Sequence, residues 1–329
     1  MDDVMITRMD RPDTFRMVTN GATASKVRTY LESGLFSLNA SNISWTTTHS
    51  HDSGLLALQG PLSASLVSKL LSPLDARKLK SLYFGQSTFL SLTGINGPPI
   101  LVSRGGYTGE DGFELATASP EQTVSLAEAL YDVGGKGENL RLAGLGARDS
   151  LRLEAGMCLY GHDLDDTTTP IEGGLAWVVA KERRQASSST ESFNGFDTII
   201  SQLTKKSAGG TGIARKRVGL TVSGVPAREG AKIYTSDSTS EKDGQEIGVI
   251  TSGGPSPTME KNIAMGYVKA PEHIKVGTQI KVAVRGKLRD AVIAKLPFVE
   301  AKYYRESLQD GTKEKIKIGD SNTVGAAPM

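Results

Sequence analysis

The sequence has little cysteine, little imbalance of charge and no long apolar run. Its 329 residues include one cysteine, so no disulfide can form within the chain, and a free thiol fits a reducing compartment. The longest apolar stretch, GLAWVVA, is far shorter than the roughly 20 residues that a membrane-spanning helix needs. The 38 basic and 36 acidic residues nearly balance, unlike the composition of most nucleic-acid-binding proteins. We therefore expect neither a membrane nor a nucleic acid as partner.

Signals for a targeting leader, a metal and a nucleotide are also weak. The first residues, MDDVMITRM, read as a strand and lack the composition of a secretory or import leader. The acidic residues near His162 have no second histidine at helical spacing, so we expect no metal site. GYTGEDG is not followed by Gly-Lys-Ser/Thr, so nucleotide binding is not supported. Cys158, in the apolar stretch MCLYG, fits a buried structural thiol better than a nucleophile.

The spacing of apolar residues predicts an α+β fold with mainly antiparallel sheets. Among the helices, one follows a cap at Ser119 and stops at Gly134, and an earlier one after Asn20 would stop at Gly34. Short runs rich in Val and Ile, separated by glycine-bearing turns, predict a small C-terminal antiparallel barrel or sandwich. These runs are RVGLTVSG, AKIYTS, EIGVITSGG, IAMGYV, TQIKVAVRG and LRDAVIAKLPF.

Four polar stretches rich in glycine or acidic residues are candidates for chemistry. They are Asp2-Asp3 before the first strand, GGYTGEDGFEL (105–115), LYGHDLDDTTTPIEGGLAW (159–177) and TSGGPSPTMEKNIAMGYV (251–268). A carboxylate at a strand end can act as a base or stabilise a cation, although paired surface aspartates are usually only solvated. The four glycines of GGYTGEDGFEL exceed what a hairpin requires, and this leaves open either a functional turn or a purely structural one.

Three long motifs occur in the order found in one family. GGYTGEDGFEL, LGARDSLRLEAGMCLYGHDLDDTTTPIEGGLAW and IGVITSGGPSPTMEKNIAMGYV resemble the T-protein of the glycine cleavage system, the tetrahydrofolate-dependent aminomethyltransferase. The resemblance runs from Asp2 to about Tyr304. It implies transfer of a one-carbon unit from the aminomethyl-dihydrolipoyl arm of a carrier (H) protein to tetrahydrofolate, with release of ammonia. It also implies the other glycine cleavage components as partners, and no flavin or metal.

Two alternatives remain open beside this interpretation. Dimethylglycine and sarcosine dehydrogenases contain a related folate-binding module, which usually follows a flavin domain. A catalytically inactive relative would bind folate without turnover.

The resemblance assigns the candidate site residues. Asp3 holds the place of the family's essential aspartate, whose carboxylate can stabilise positive charge on a reacting nitrogen. Glu172, in PIEGG, matches the glutamate that accepts hydrogen bonds from the donor edge of the pteridine ring. The folate tail carries carboxylates, which arginine binds well, and we therefore expect an arginine at the tail. The folate-site candidates besides Glu172 are Asn20, Arg217 and Arg228 (the two candidates for the tail), Tyr303, Tyr107 and Arg104, the last predicted to pair with Glu110.

The resemblance also implies domain limits and a compartment. Residues 1–182 would form the folate-binding domain, 183–211 a linker or insertion with one short helix, 212–305 the β-barrel domain and 306–329 a mobile tail. A eukaryotic member would lie in the mitochondrial matrix, and a bacterial one in the cytoplasm. Family members carry a segment with a DVSHM-like motif before the Asp-Asp strand. We therefore expect an N-terminally truncated sequence that is inactive and aggregation-prone alone.

Overall fold

The computed structural model describes residues 2–39, 42–48, 51–184 and 192–306. The chain divides into two compact units. We call Asp2–Leu151 with 301–306 the N-terminal unit, and Arg152–Glu300 the C-terminal unit. No helix in the described residues is both long and apolar enough to cross a membrane. The predicted tail at 307–329 lies outside the described residues.

The N-terminal unit begins with a two-stranded antiparallel sheet and a helix. Strand β1 (Met5–Arg8) pairs with β2 (Phe15–Val18), and helix α1 (Ala24–Ser37) follows. The prediction that Gly34 ends this helix was wrong, because the carbonyl of Gly34 still accepts a helical hydrogen bond from the amide of Leu38. The helix ends at Ser37, and Asn39, two residues further on, adopts the left-handed conformation with φ of 49°.

A four-stranded antiparallel sheet forms the core of the N-terminal unit. Its strands run in the order β3-β6-β5-β4. They are β3 (Gly54–Gln59), β4 (Ser87–Leu90), β5 (Ile100–Arg104) and β6 (Gly112–Thr117). Helices α2 (Ser63–Ser68), α3 (Pro73–Lys80) and α4 (Pro120–Val133) accompany the sheet, and the core includes Val67, Leu79, Val102, Phe113 and Leu126.

Helix α4 has the ends that the sequence predicts. The hydroxyl of Ser119 accepts a hydrogen bond from the amide of Gln122, Pro120 is the first helical residue, and Gly134 follows the last. Since these signals act within a few residues of one another, they are readable without knowledge of the fold.

The C-terminal unit contains a closed six-stranded antiparallel barrel, and all six predicted runs are strands. The hydrogen-bonded order is β10-β7-β12-β11-β8-β9. The strands are β7 (Arg215–Val222), β8 (Lys232–Thr235), β9 (Glu246–Ser256), β10 (Lys261–Lys269), β11 (Gln279–Val284) and β12 (Lys287–Ala294). The α+β prediction with a C-terminal barrel is therefore confirmed.

Two further helices contribute to the C-terminal unit. Helix α6 (Phe196–Leu203) is the short helix expected before the barrel, and Ile199 on it packs with Ile171 and Val179. Helix α5 (Leu145–Glu154) was not predicted, and its last three residues, from Arg152, belong to this unit.

Strands β9 and β10 approach closely at Gly248. A Cβ atom at this position would lie 2.0 Å from the carbonyl oxygen of Tyr267. The pairing register of the two strands shifts nearby, between Met265 and Gly266. Because that carbonyl belongs to a paired strand, it cannot move aside without disturbing the barrel.

Gly248→Ala should therefore destabilise the barrel. We expect the free energy of unfolding to fall by about 1 to 3 kcal/mol, the usual cost of forcing extra volume into a packed site. Urea unfolding followed by circular dichroism measures this loss. Gly254→Ala is the matched control on β9, because a Cβ there would approach its nearest neighbour, Arg228, only to 3.4 Å. Equal stability of the two variants would contradict the prediction.

Candidate functional site

The predicted catalytic aspartate lies just before β1 and meets Asn20. The side-chain amide of Asn20 donates to Oδ1 of Asp3 at 2.6 Å and to Oδ1 of Asp2 at 2.9 Å. Burial works against ionisation of Asp2, but hydrogen bonds from Thr23 and Asn20 hold the pKa of Asp2 below its ordinary value. Two residues chosen from the sequence are thus brought together, with the Asp3 carboxylate exposed and fixed on one side.

The glycine-rich stretch 105–115 connects β5 to β6, and the side chain of Gln59 fills it. The amide nitrogen of Gln59 donates to the carbonyl of Gly105 at 3.0 Å, and its oxygen accepts from the hydroxyl of Thr108 at 3.1 Å. A Cβ atom at Gly106 would lie 2.1 Å from that oxygen. A side chain at position 106 would therefore displace the Gln59 amide from this turn. Tyr107, a predicted site residue, lies half-buried in the same turn.

Arg104 pairs with Asp111, so the predicted pairing with Glu110 was wrong. Its Nε and Nη2 donate to the two carboxylate oxygens of Asp111 at 2.8 and 2.5 Å, and Nη1 donates to the carbonyl of Leu82 at 2.8 Å. The register explains the choice of partner. Arg104 pairs across the sheet with Phe113, which brings Asp111, two residues before it, within reach of the guanidinium, whereas the carboxylate of Glu110 pairs with Lys302 at 3.5 Å.

Residues 301–306 pack against this turn and its neighbours. The amide of Lys302 donates to the carbonyl of Gly109, and the carbonyl of Tyr304 accepts from the amide of Phe84, both at 2.8 Å. The guanidinium of Arg104 lies 3.9 Å from the centre of the Tyr304 ring. The turn therefore anchors the segment that follows the barrel.

Tyr303, another predicted site residue, belongs to this segment. Its ring stacks on Phe84 with centroids 4.0 Å apart, and the guanidinium of Arg305 lies beside both rings. Burial raises the pKa of the Tyr303 phenol, so the neutral phenol persists well above neutral pH.

Glu172 takes part in a reciprocal capping arrangement with Thr169. The hydroxyl of Thr169 accepts from the amide of Glu172, and Oε2 of Glu172 accepts from the amide of Thr169, both at 3.2 Å. The other carboxylate oxygen lies 3.7 Å from Nε of Arg215, and the Glu172 side chain is 12% exposed. One oxygen is thus committed to the backbone, while the other faces a cation.

Arg215, at the start of β7, was not among the predicted site residues. Its guanidinium lies 4.8 Å from the centre of the Tyr267 ring and donates to the hydroxyl of Thr168 at 3.1 Å. The family resemblance pointed to Arg217, which lies two residues further along β7 on the same face of the strand. The local sequence does not distinguish Arg215 from Arg217, since their environments depend on which distant residues pack over each side chain.

The two predicted tail-binding arginines occupy different environments. Arg217 is buried, and its guanidinium donates to the carbonyls of Gly173 at 2.9 Å and Gly156 at 3.1 Å. Arg228 is exposed and donates to the carbonyl of Gly253 at 2.9 Å. Their role toward a folate tail stays a prediction.

The motifs around 152–166 and 251–258 meet in a buried polar network in the C-terminal unit. The side chains of Arg152 and Asp163 are 3% and 0% exposed and form an ion pair at 2.7 Å. The carboxylate of Asp163 also accepts from Leu159 N at 2.9 Å, Ser252 Oγ at 2.9 Å and Thr251 Oγ1 at 2.5 Å. Glu154 on the same helix accepts from the hydroxyls of Ser256 and Thr258 at 2.5 and 2.7 Å. These polar residues hold the fold together.

The histidine, acidic and thiol groups near residue 162 are dispersed. In the ranges that the structure describes, no three His, Cys, Asp or Glu side chains are placed to hold a metal ion. His162 instead approaches the carboxylate of Glu229 at 2.7 Å, with both side chains exposed. Cys158 forms no disulfide and is half-buried rather than buried.

Comparison with known proteins agrees with this architecture. Residues 1–183 match the family model of the GCVT N-terminal domain, and residues 215–300 match that of the glycine cleavage T-protein C-terminal barrel domain. A crystal structure of glycine cleavage system aminomethyltransferase T from Bartonella henselae matches with a TM-score of 0.70 at 32% identity, covering 93% of this chain and 74% of that one. The fold thus defines a protein of the two-domain GCVT class.

Similar sequences identify the family within this class. The chain is 43% identical over 309 residues to the mitochondrial aminomethyltransferase of Solanum tuberosum, and 44% identical over 311 residues to that of Pisum sativum. Each alignment covers 93% of this chain and 68% of the relative. Identity to the mitochondrial aminomethyltransferase of Dictyostelium discoideum is 39% over 307 residues, or 92% of this chain and 70% of the relative. The chain belongs to the glycine cleavage T-protein family.

Asp163→Asn should strongly destabilise the C-terminal unit. The substitution leaves the buried guanidinium of Arg152 without its counter-charge, and we expect a loss of about 3 to 5 kcal/mol in the free energy of unfolding. Chemical denaturation measures it. The control is Asp237→Asn, at an exposed position, for which a change within about 0.5 kcal/mol is expected. An Asp163→Asn protein as stable as this control would show that the ion pair contributes little.

Proposed function

We propose that this chain is the tetrahydrofolate-dependent aminomethyltransferase of a glycine cleavage system. The aminomethyl group arrives on the dihydrolipoyl arm of a carrier protein. Its carbon–sulfur bond breaks to leave a thiol, its nitrogen leaves as ammonia, and its carbon becomes the methylene bridge between two folate nitrogens. Family membership supports the reaction. The hydrogen bond of 2.6 Å from the Asn20 amide to the Asp3 carboxylate is the observation that supports a catalytic role for Asp3.

Asp3 is proposed as the catalytic carboxylate. Positive charge develops on nitrogen as the one-carbon unit moves, and a fixed negative charge beside that nitrogen stabilises the transition state without reorganising. The amide of Asn20 holds one oxygen of Asp3, so the carboxylate is oriented before substrate arrives. Hydrogen bonds to Asp2 keep its pKa low, so this neighbour is also an anion at neutral pH.

Glu172 is proposed to recognise the pteridine ring. Its Oε2 caps the turn at Thr169, which leaves Oε1, beside Arg215, to accept a hydrogen bond from the donor edge of the ring. The proposed tail contacts remain Arg217 and Arg228. For Arg104, Tyr107 and Tyr303 we propose that they shape the folate site by packing, because the Arg104 guanidinium is bound to Asp111 and the Tyr303 ring to Phe84.

Partners and location follow from the family. T-proteins act with the other glycine cleavage components, and we propose the lipoylated carrier as the direct partner. Exposed basic residues such as Arg183, Lys205 and Lys206 are candidates to meet an acidic surface on it, whereas Arg184 donates to the carbonyls of Val179 and Ala176 and serves the fold. Because the similar plant, yeast and slime-mould proteins are mitochondrial, a eukaryotic source would place this chain in the mitochondrial matrix.

Ammonia release from aminomethylated carrier protein, with and without tetrahydrofolate, tests the proposal. Turnover that depends on folate supports it. Folate binding without turnover would favour a binding-only relative, and the absence of both would contradict the proposed function.

Asp3→Asn should lower the rate of ammonia release by about two to three orders of magnitude, because it removes the charge that stabilises the transition state. Folate affinity, measured by calorimetry, should change little. Asp10→Asn, at an exposed position beyond β1, is the control and should retain full turnover. Normal turnover by the Asp3→Asn protein would remove Asp3 from the mechanism.

Glu172→Gln should weaken tetrahydrofolate binding by roughly 1 to 3 kcal/mol, since it removes a charged acceptor from a buried donor edge. Glutamine can still cap Thr169, so thermal stability should be kept. Glu172→Ala should lose both affinity and stability. Calorimetry with a stable folate analogue measures binding, and Glu229→Gln serves as an exposed control. Unchanged affinity in Glu172→Gln would place the pteridine elsewhere.

A further inference from the structure

Tyr267 on β10 joins the buried network to Arg215. Its hydroxyl donates to the backbone carbonyl of Asp163 at 2.7 Å, and the residue is 5% exposed. The face of its ring carries the guanidinium of Arg215 at 4.8 Å. The phenol is therefore fixed at its far end while its ring supports a cation.

The register of the barrel produces this contact. Tyr267 pairs directly with Arg217 across the β10–β7 ladder, and Arg215 pairs with Lys269. Arg215 is thus the diagonal neighbour of Tyr267 on the same face, a position within reach of aromatic and long side chains. Since Arg217 donates instead to the carbonyls of Gly156 and Gly173, the ring is left to Arg215.

Arg215 can orient the Glu172 carboxylate only if its own guanidinium is held in one position. An arginine side chain loses rotamer entropy when it is held in one geometry, so a fixed position requires a partner. Arg215 and Tyr267 line a groove of about 330 Å³, so the guanidinium lies near solvent. Burial raises the pKa of the Tyr267 phenol, which therefore stays neutral and keeps its hydrogen bond to Asp163.

We propose that Tyr267 is a positioning residue for folate recognition, which holds Arg215 against Glu172 and so sets the direction of the Glu172 carboxylate. The inference rests on the proposed function in one respect, namely that Glu172 contacts folate. Tyr267 itself touches no reacting atom. Its effect passes through Arg215, whose Nε lies 3.7 Å from Oε1 of Glu172.

A double-mutant cycle on folate binding tests the proposal. Tyr267→Leu removes the ring, and we expect it to weaken folate binding about tenfold, as does Arg215→Ala. Adding Tyr267→Leu to Arg215→Ala should have no further effect, because the ring acts only through that guanidinium. Tyr267→Phe keeps the ring and should bind within about threefold of wild type. In turnover assays the Tyr267→Leu protein should show a raised KM for folate and an almost unchanged kcat.

A merely structural tyrosine would give a different result. Tyr267→Leu would then weaken binding equally with and without Arg215, and that additivity would overturn the proposal. Thermal unfolding of every variant shows whether a loss of binding follows a loss of fold, and Tyr267→Phe keeps the test valid if the leucine variant unfolds.

A signal that does not depend on folate separates this inference from the proposed function. Ring currents should shift the Nε–H proton resonance of Arg215 upfield in ¹⁵N-arginine-labelled protein, with the assignment made from Arg215→Lys. The shift should persist in Tyr267→Phe and vanish in Tyr267→Leu. An unshifted wild-type signal would overturn the positioning role, whereas a shifted signal in a protein that binds no folate would count against the proposed function alone.

Discussion

The ion pair between Arg152 and Asp163 is the constraint on which the C-terminal unit depends. A carboxylate with a fully buried side chain is tolerated only when its oxygens are saturated with donors, and Asp163 obtains them from a helix end, a loop amide and two hydroxyls of β9. Its own backbone carbonyl accepts the Tyr267 hydroxyl. The same residue therefore joins helix α5, the loop after it and two barrel strands.

The polar motifs consequently separate into two kinds. Those around Asp163 and Arg104 are buried, and their donors and acceptors are matched within the protein. By contrast, the Asn20 amide holds one oxygen of the exposed Asp3 carboxylate, and Oε1 of Glu172 lies 3.7 Å from Nε of Arg215, too far for a strong hydrogen bond. Burial and partner geometry distinguish these groups, whereas composition alone makes all four stretches look alike.

Local signals explain how much of the fold could be predicted from the sequence. The caps of α4 and the Val- and Ile-rich runs of the six barrel strands are signals that act over a few residues, and both predictions are confirmed. The contact of Asp3 with Asn20 brings together two residues that the family resemblance had named. The pairing of Arg104 with Asp111 and the contacts of Arg215 and Tyr267 were not predicted, because they depend on strand register, which joins residues distant along the chain.

The return of residues 301–306 to the N-terminal unit bears on how the protein is made. Translation releases the chain from its N-terminus, and domains usually fold as they emerge. Here Tyr304, which stacks on Arg104, and Tyr303, which stacks on Phe84, are synthesised only after the whole barrel. The unit that begins first on the ribosome is therefore completed last, and until then Phe84 lacks the ring that covers it.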